Sequence, residues 1–241
     1  MHEGGFVRGV VAEWQGQQIE IGASVVIAAD GVESRVGTWA SVDTQLPLQD
    51  TMVCAQYLLS GIDWDPACLG YWIDEAVAPG GYAWVFPKGE GLANVGLGTQ
   101  ADRGEETALA YLNRFIEQDH ALSLGSPVTL VVGNAPVALP CSRLVADGLM
   151  LVGDAARQVD ALTGGGIINA MTAGRLAAQV AVDALAEGDV SVQGLAGYQE
   201  QANGLLGRRL ARSYRLRQRF PPEQRASRNF VRLFAVAAGG K

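Results

Sequence analysis

Two short apolar runs, each meeting an Asp-Gly or Gly-Asp pair, constrain this chain more than any other feature. Ala23-Ser24-Val25-Val26-Ile27-Ala28-Ala29 leads into Asp30-Gly31, and Leu149-Met150-Leu151-Val152 leads into Gly153-Asp154. Apolar runs without alternation suit strands buried on both faces, as in a parallel sheet. Such strands need neighbours. The first residues offer only a hairpin, 6–14 against 17–21 around a turn at Gln15-Gly16. The pattern therefore predicts that partner strands belonging upstream are missing. Runs 25–29 and 149–152 are then left with open edges that invite self-association.

Between the two runs the pattern changes. Strand-like pieces at 52–59, 69–73, 83–86 and 93–97 are separated by Pro66, Pro79, Gly80-Gly81 and Pro87-Lys88-Gly89. This predicts an antiparallel sheet with turns. A helix is expected over 103–118, with Leu109, Leu112 and Ile116 at helical spacing, and a further strand over 128–132. After the second run, Thr163-Gly164-Gly165-Gly166 precedes an Ala-rich helix over 167–186 that Gly188 should stop. The last stretch is helical in composition and broken by Pro221-Pro222.

Composition narrows the function classes. At 241 residues with 49% apolar and 18% charged residues, the chain is long enough for one domain or two small ones and too apolar for disorder. No apolar stretch reaches the ~18 residues needed to cross a bilayer, and no signal sequence is recognisable. Cys54, Cys68 and Cys141 are odd in number and lack CxxC spacing, and His2 and His120 are the only histidines. A disulfide framework and a metal centre are not expected, and a reducing, cytoplasmic location is. The net charge of -7 is uneven: residues 201–241 carry nine arginines, Lys241 and the single acid Glu223. With so acidic a remainder, nucleic acid is not an expected partner.

Three motifs can carry chemistry. Strand, Gly153-Asp154, glycine turn and helix place a carboxylate at a strand end beside a helix N-terminus. The carboxylate can accept from sugar or ribityl hydroxyls, and the glycines admit backbone N–H groups to an electron-rich ligand. A Gly-rich turn without a ligand fits the same spacing. Asp30-Gly31-Val32-Glu33-Ser34-Arg35 repeats the logic, with a Ser34-capped helix as its structural alternative. In Pro79-Gly80-Gly81-Tyr82-Ala83-Trp84-Val85-Phe86-Pro87, the residues Tyr82, Trp84 and Phe86 share one strand face. They either wall an apolar cavity or cover the core of the sheet. Prolines at both ends suggest an edge strand or one ending at a cleft.

Pro79-x-x-Tyr82-x-Trp84-x-Phe86-Pro87 followed by Ala93-Asn94-Val95-Gly96-Leu97-Gly98 resembles the signature of the geranylgeranyl reductase family. Gly153 to Ile167 is similar to that family's second flavin-binding motif, and Ala28-Ala29-Asp30-Gly31-x-x-Ser34 to the Asp-Gly motif of the wider hydroxylase-like flavoproteins. The resemblance spans roughly residues 5 to 190. It implies a mixed α+β, α/β architecture: the C-terminal part of an FAD-binding hydroxylase-like fold with an inserted antiparallel-sheet substrate domain and C-terminal helices. The corresponding boundaries are 1–38 and 140–190 for the FAD-binding part, 39–139 for the sheet domain and 191–241 for a basic helical region.

Carried over by position, Asp30, Gly31, Gly153, Asp154, Thr163, Gly164, Gly165, Gly166 and Ile167 would contact FAD. Asp154 would meet its ribityl or pyrophosphate part, and Thr163 to Ile167 the pyrimidine edge. Tyr82, Trp84 and Phe86 would line an isoprenoid cavity. The implied reaction is flavin-dependent reduction of isolated C=C bonds in geranylgeranyl lipid chains, by hydride delivery and protonation. No residue is assigned as proton donor: Cys54 lies in the sheet region, and a buried inert thiol is the commoner case. The electron donor is likewise unassigned.

Two departures qualify the resemblance. No G-x-G-x-x-G occurs in the sequence, because Asn169 stands where Gly164-Gly165-Gly166 would need a further glycine. Ala161 stands where the family usually has proline. The chain is thus expected to be an N-terminally truncated or incomplete reductase that binds FAD weakly or not at all. The alternatives are a flavin-dependent monooxygenase of the same fold and a non-catalytic prenyl-lipid-binding module. A quinone-linked dehydrogenase is disfavoured by the lack of an iron–sulfur cysteine set. In the tail, Arg208, Arg212, Arg215 and Arg219 share one helical face, with Leu206, Leu210 and Tyr214 on another and Arg209 and Arg217 near the apolar side. This fits either peripheral contact with anionic lipid or a solvated face pairing with the acidic body.

Overall fold

The computed structural model describes residues 1–239. The chain begins with a short antiparallel ladder, β1 (His2–Glu3) on β2 (Phe6–Val7), then the hairpin β3 (Gly9–Trp14) and β4 (Gln17–Gly22). The single strand expected over 6–14 is therefore broken. Gly9 has a φ of 134°, and a side chain there would strike the Ile21 carbonyl, so the chain kinks between the two strands. The turn at Gln15 and Gly16 has positive φ at both residues, which matches the twist of a two-residue hairpin. Strand β5 (Val26–Ala28) then leads through Asp30-Gly31 to the short helix α1 (Arg35–Trp39).

The middle of the chain supplies β6 (Thr51–Ser60), β7 (Gly70–Trp72), β8 (Tyr82–Gly89) and β9 (Leu92–Gln100), then α2 (Ala108–Gln118), α3 (His120–Ser123) and β10 (Ser126–Pro136). Helix α2 starts five residues later than its apolar spacing suggested. Thr107 accepts from the Ala110 N–H as N-cap, and Gly104 just before it has a φ of 91°. The chain returns through β11 (Val145–Ala146) and β12 (Leu149–Leu151) to the long helix α4 (Ile167–Glu187), capped by left-handed Gly188. Helices α5 (Val192–Ala202), α6 (Arg208–Gln218) and α7 (Arg228–Ala237) follow, with a π-helical turn at Asn203–Gly207.

These elements gather into two compact units. The first holds Met1–Leu46 with Pro136–Arg215, the second Pro47–Ala135 with the stretch from Leu216. The basic region from 191 does not form a unit of its own. Its helices carry buried apolar residues in both units: Leu195, Tyr198 and Leu210 belong to the core of the first unit, and Phe230 and Phe234 are buried in the second, outside its main core.

In the first unit, β12 pairs in parallel with β5 (Leu149 opposite Val26, Leu151 opposite Ala28) and antiparallel with β11. The two runs that the sequence left without partners are partners of each other. β12 is wholly buried, but β5 is the outer strand of its sheet and Ile27 is 38% exposed, so burial on both faces holds only for the central strand. Ala173, Ala177, Ala181 and Ala184 of α4 are buried in the same core, where small side chains allow close packing.

A buried tyrosine ties this core to the turn after β12. The Tyr198 hydroxyl donates to the Leu151 carbonyl at 2.6 Å and accepts from Gln158 Nε2 at 3.3 Å, while Gln158 Oε1 accepts from the Gly153 N–H at 2.7 Å. Burial pushes the Tyr198 phenol up to about 12, so it remains a donor.

In the second unit the strand order is β10-β6-β9-β8-β7, so β8 is an interior strand, not the edge strand its flanking prolines suggested. Pro79 precedes the strand, and Pro87 falls where the register with β9 shifts. Ala83 and Val85 of β8, Val95 and Leu97 of β9 and Ala55 of β6 are fully buried in one core with Leu112 and Phe115 of α2.

The polar network predicts a specific cost. Tyr198→Phe leaves the buried Leu151 carbonyl and Gln158 amide short of a partner and should lower stability by about 1–3 kcal/mol, read from urea unfolding at constant m.

Candidate functional site

Because β5 and β12 run in parallel, Asp30 and Asp154 both follow the carboxyl ends of neighbouring strands. The Val152 N–H donating to the Ala28 carbonyl at 3.0 Å holds those ends level. In open α/β sheets that end is where ligands bind. The two aspartates are not equivalent. Asp30 Oδ1 accepts from the Ser34 hydroxyl at 2.8 Å and Oδ2 from the Val36 N–H at 3.0 Å, while Ser34 Oγ caps α1 through the Gly37 N–H. Both Asp30 oxygens thus serve the start of α1, and Gly31 beside it makes the turn with a φ of 85°.

Asp154 is different. Its carboxylate forms no hydrogen bond among the described residues, and burial holds its pKa above the ordinary carboxylate value. It lies against the N-terminus of α4: a Cβ added to Gly166 would stand 3.3 Å from Asp154 Oδ1 and 3.1 Å from Val159 Cγ2. Gly166, the N-cap of this 21-residue helix, brings no side-chain acceptor, so the first-turn donors remain available to a ligand. Gly164 and Gly165 are exposed, as is Ile167 at 80%.

Residues that the sequence reading did not assign hold this turn. Asp160 Oδ1 accepts from the Ser213 hydroxyl at 2.6 Å and from the Leu162 and Thr163 N–H groups at 3.0 and 3.1 Å. Asn169 Nδ2 donates to the Gln158 and Gly165 carbonyls, and Arg209 reaches both Asn169 Oδ1 and, at 3.9 Å, Asp160 Oδ2. Arg209 and Ser213 stand one turn apart on α6. That i, i+4 spacing was the only local sign of their shared task, and it explains why Arg209 sits near the apolar side of its helix.

The second unit carries a different surface. Tyr82, Trp84 and Phe86 lie on the sheet face opposite the α2 core, each half-buried. Of the two readings open in the sequence, covering the main core is therefore not their role. Trp84 stacks on Phe86 at 6.0 Å, Tyr82 lies 5.6 Å from Trp84, and Tyr71 of β7 meets Tyr82 at 5.9 Å and Phe86 at 5.4 Å. Phe234 of α7 closes on Tyr82 and Tyr71 at 5.0 and 5.4 Å. Trp84 spans strand β9 because Gly96 opposite it has no side chain, and its Nε1 donates to Gln56 Oε1 on β6 at 3.0 Å.

Cys54 is on the same face, beside Gly98. Burial pushes its thiol up to about 11, so it is protonated at neutral pH.

The turn before β8 is held from the tail. Arg217 and Arg225, only 5% and 6% exposed, both donate to the Gly80 carbonyl and Gln100 Oε1. Burial brings the Arg225 guanidinium down to about 10. On α6, Arg208, Arg212 and Arg215 are exposed, as is Arg219 just beyond it. Leu210 on the helix and Leu206 just before it are buried in the protein.

A parallel strand pair ending in carboxylates, a helix N-terminus and a separate antiparallel sheet make the fold of the flavin-dependent hydroxylase-like and halogenase-like proteins. A triple mutant of the flavin-dependent brominase Bmp2 shares that fold over 99% of this chain and 63% of its own, with TM-score 0.69 and 17% identity. The model of the geranylgeranyl reductase catalytic domain matches residues 50–135. The chain is 46% identical over 221 residues to the digeranylgeranylglycerophospholipid reductase of Methanosphaerula palustris, covering 90% of this chain and 55% of that protein. It is 37% identical, with TM-score 0.84, to a geranylgeranyl bacteriochlorophyll reductase-like structure from Thermoplasma acidophilum, again covering 90% of this chain and 55% of that one. The chain belongs to the geranylgeranyl reductase family and spans about half the length of the curated relatives it matches.

The Asp154 environment gives a signed pH prediction. A carboxyl whose pKa is raised by folding stabilises the native state below its ordinary value of 3.8, and that contribution is lost as pH rises through the raised value. Without ligand, Asp154→Asn should therefore melt higher than wild type at pH 7. The two should converge below about pH 4 in parallel thermal scans.

Proposed function

We propose that this chain forms the flavin-edge and lipid-facing parts of a reductase acting on isolated C=C bonds of geranylgeranyl lipid chains. The observation that carries this reading is the Asp154 carboxylate set against the uncapped N-terminus of α4. The same chain also displays the Tyr82, Trp84 and Phe86 face. The residues present suit one side of FAD. Asp154 would accept from its hydroxyls, and Gly164, Gly165, Gly166 and Ile167 would offer N–H donors to its electron-rich edge, with Thr163 shaping the turn. Asp30 and Gly31 contribute by fixing the neighbouring strand end. Bound FAD would supply the hydride; Tyr82, Trp84 and Phe86 would hold the isoprenoid chain away from water, gaining roughly 25 cal/mol per Å² of apolar area buried.

The domain roles follow the boundaries expected from the sequence: 1–38 and 140–190 for the flavin, 39–139 for the lipid. In this reading the 241-residue chain holds FAD weakly, because it contains no G-x-G-x-x-G to cradle the pyrophosphate. That absence also supports a second reading, a module that binds prenyl lipid without catalysis. Peripheral contact with anionic lipid would run through Arg208, Arg212, Arg215 and Arg219. With Leu206 and Leu210 buried, such contact is electrostatic only and screened by salt. Association of two copies through the outer edge of β5 is part of the same proposal.

The test combines the purified chain, added FAD, a chemical reductant and a digeranylgeranyl phospholipid. Mass analysis should show hydrogen added across the lipid's double bonds, and the chain as isolated should carry substoichiometric flavin. Lipid retained without flavin and unreduced after FAD is added favours the non-catalytic module. Stoichiometric FAD in the isolated chain contradicts the weak-binding proposal. Gly166→Val, which places a branched side chain against Asp154, should lower FAD affinity about tenfold or more, read by flavin fluorescence quenching.

A further inference from the structure

The outward face of α4 carries a regular stripe that neither the flavin nor the lipid reading uses. Ile168, Met171, Arg175, Ala178, Val182 and Leu185 follow alternating steps of three and four residues, the spacing of a coiled-coil seam. All are exposed, Ile168 at 78%, Met171 at 71%, Val182 at 66% and Leu185 at 50%. The opposite face, with Ala173, Leu176, Ala177 and Ala181, is already buried in the core of the first unit. A surface helix ordinarily has one apolar face, and α4 has two.

Three observations choose the occupant. The stripe is symmetric in its spacing about a point level with Leu176 and Ala177. A second α4 turned end for end therefore sets Ile168 against Leu185, Met171 against Val182 and Arg175 against Ala178. The sizes match: a groove lined by Arg175, Ala178, Val182 and Asp183 lies where the bulkier Ile168 and Met171 of the second copy arrive. Ala178 opposite leaves room for the Arg175 stem while its head stays in water.

The charges match as well. Gly166 brings no side-chain cap to the helix start, and the last turn carries Glu187 with no basic residue. Antiparallel pairing sets Glu187 of one copy level with Gly166 of the other, where acid meets the positive helix end. A parallel pair would instead stack Arg175 on Arg175 and Glu187 on Glu187. Covering Ile168, Met171, Val182 and Leu185 in both copies removes on the order of 1,000 Å², the lower end of specific interfaces.

We propose that two copies of this chain pair through antiparallel α4 helices in this register. Glu187 of the second copy then stands at the helix start assigned above to the flavin edge. Resting on that flavin-edge reading, a consequence is that FAD and the second copy exclude each other.

The experiment is sedimentation velocity of the full chain over a concentration series, with disulfide mapping of the register. Wild type should dimerise with a dissociation constant of roughly 10 µM. Met171→Glu with Val182→Glu changes exposed positions; with unchanged far-UV circular dichroism and melting, it should weaken the dimer about tenfold or more. In a Cys68→Ser background, Met171→Cys with Val182→Cys should oxidise to a dimer linked 171 to 182, a pair too far apart along one helix to close within a chain. Saturating FAD should return the wild-type chain to monomer. A wild-type chain still monomeric at about 300 µM would overturn the second copy as occupant and leave the stripe to a helix of another polypeptide. A dimer untouched by the glutamates would overturn the α4 surface in favour of the β5 edge, and links of 171 to 171 would overturn the antiparallel register. FAD bound to an intact dimer would contradict Glu187 standing at the flavin edge. Failure of the monomeric Met171→Glu, Val182→Glu variant to bind FAD would count against the flavin reading alone and leave the dimer standing.

Discussion

The parallel pairing of β12 with β5 is the contact on which the first unit's site depends. It levels the carboxyl ends of two strands, so that the residues after them must turn at the same end of the sheet. One aspartate there is spent on its own helix. The other is left beside an uncapped helix N-terminus, partly buried and without a hydrogen-bond partner among the described residues. A carboxylate in that position opposes the stability of the empty protein, which is how a binding group differs from a cap. The Asp160, Ser213, Asn169 and Arg209 contacts then fix the glycine turn that separates the two features.

The second unit divides its labour between the two faces of one sheet. Small and branched residues, Ala55, Ala83, Val85 and Val95, pack the core with α2, which frees the large aromatics for the other side. There Gly96 matters as an absence: without a side chain, the indole of Trp84 can cross a whole strand to Gln56. The result is a half-buried apolar surface with a fixed ring geometry, suited to hydrocarbon without directional demands.

Local signals carried much of this into the sequence. The two apolar runs, the glycine turn, the stop at Gly188 and the shared face of Tyr82, Trp84 and Phe86 all depend on residues close in the chain. What stayed hidden depends on partners far away. The exposure of Ile27 follows from which strand is outermost, and the interior place of β8 from a three-residue neighbour that pairs only with Ala83, Trp84 and Val85. Arg217 stands out in the sequence only as a charge near the apolar side of its helix, and Arg225 not at all, until Gly80 and Gln100 supply their acceptors. Likewise, the helical spacing of α7 gave no hint that Phe234 would close on Tyr71 and Tyr82.

The central claim is that the Asp154 carboxylate and the start of α4 together form the flavin-edge site. Amide chemical-shift mapping of the isotopically labelled chain during an FAD titration tests it most directly. Saturable shifts should centre on Gly164, Gly165, Gly166 and Ile167 and vanish in Asp154→Asn. Shifts that saturate elsewhere while the α4 N-terminus stays unmoved would contradict it.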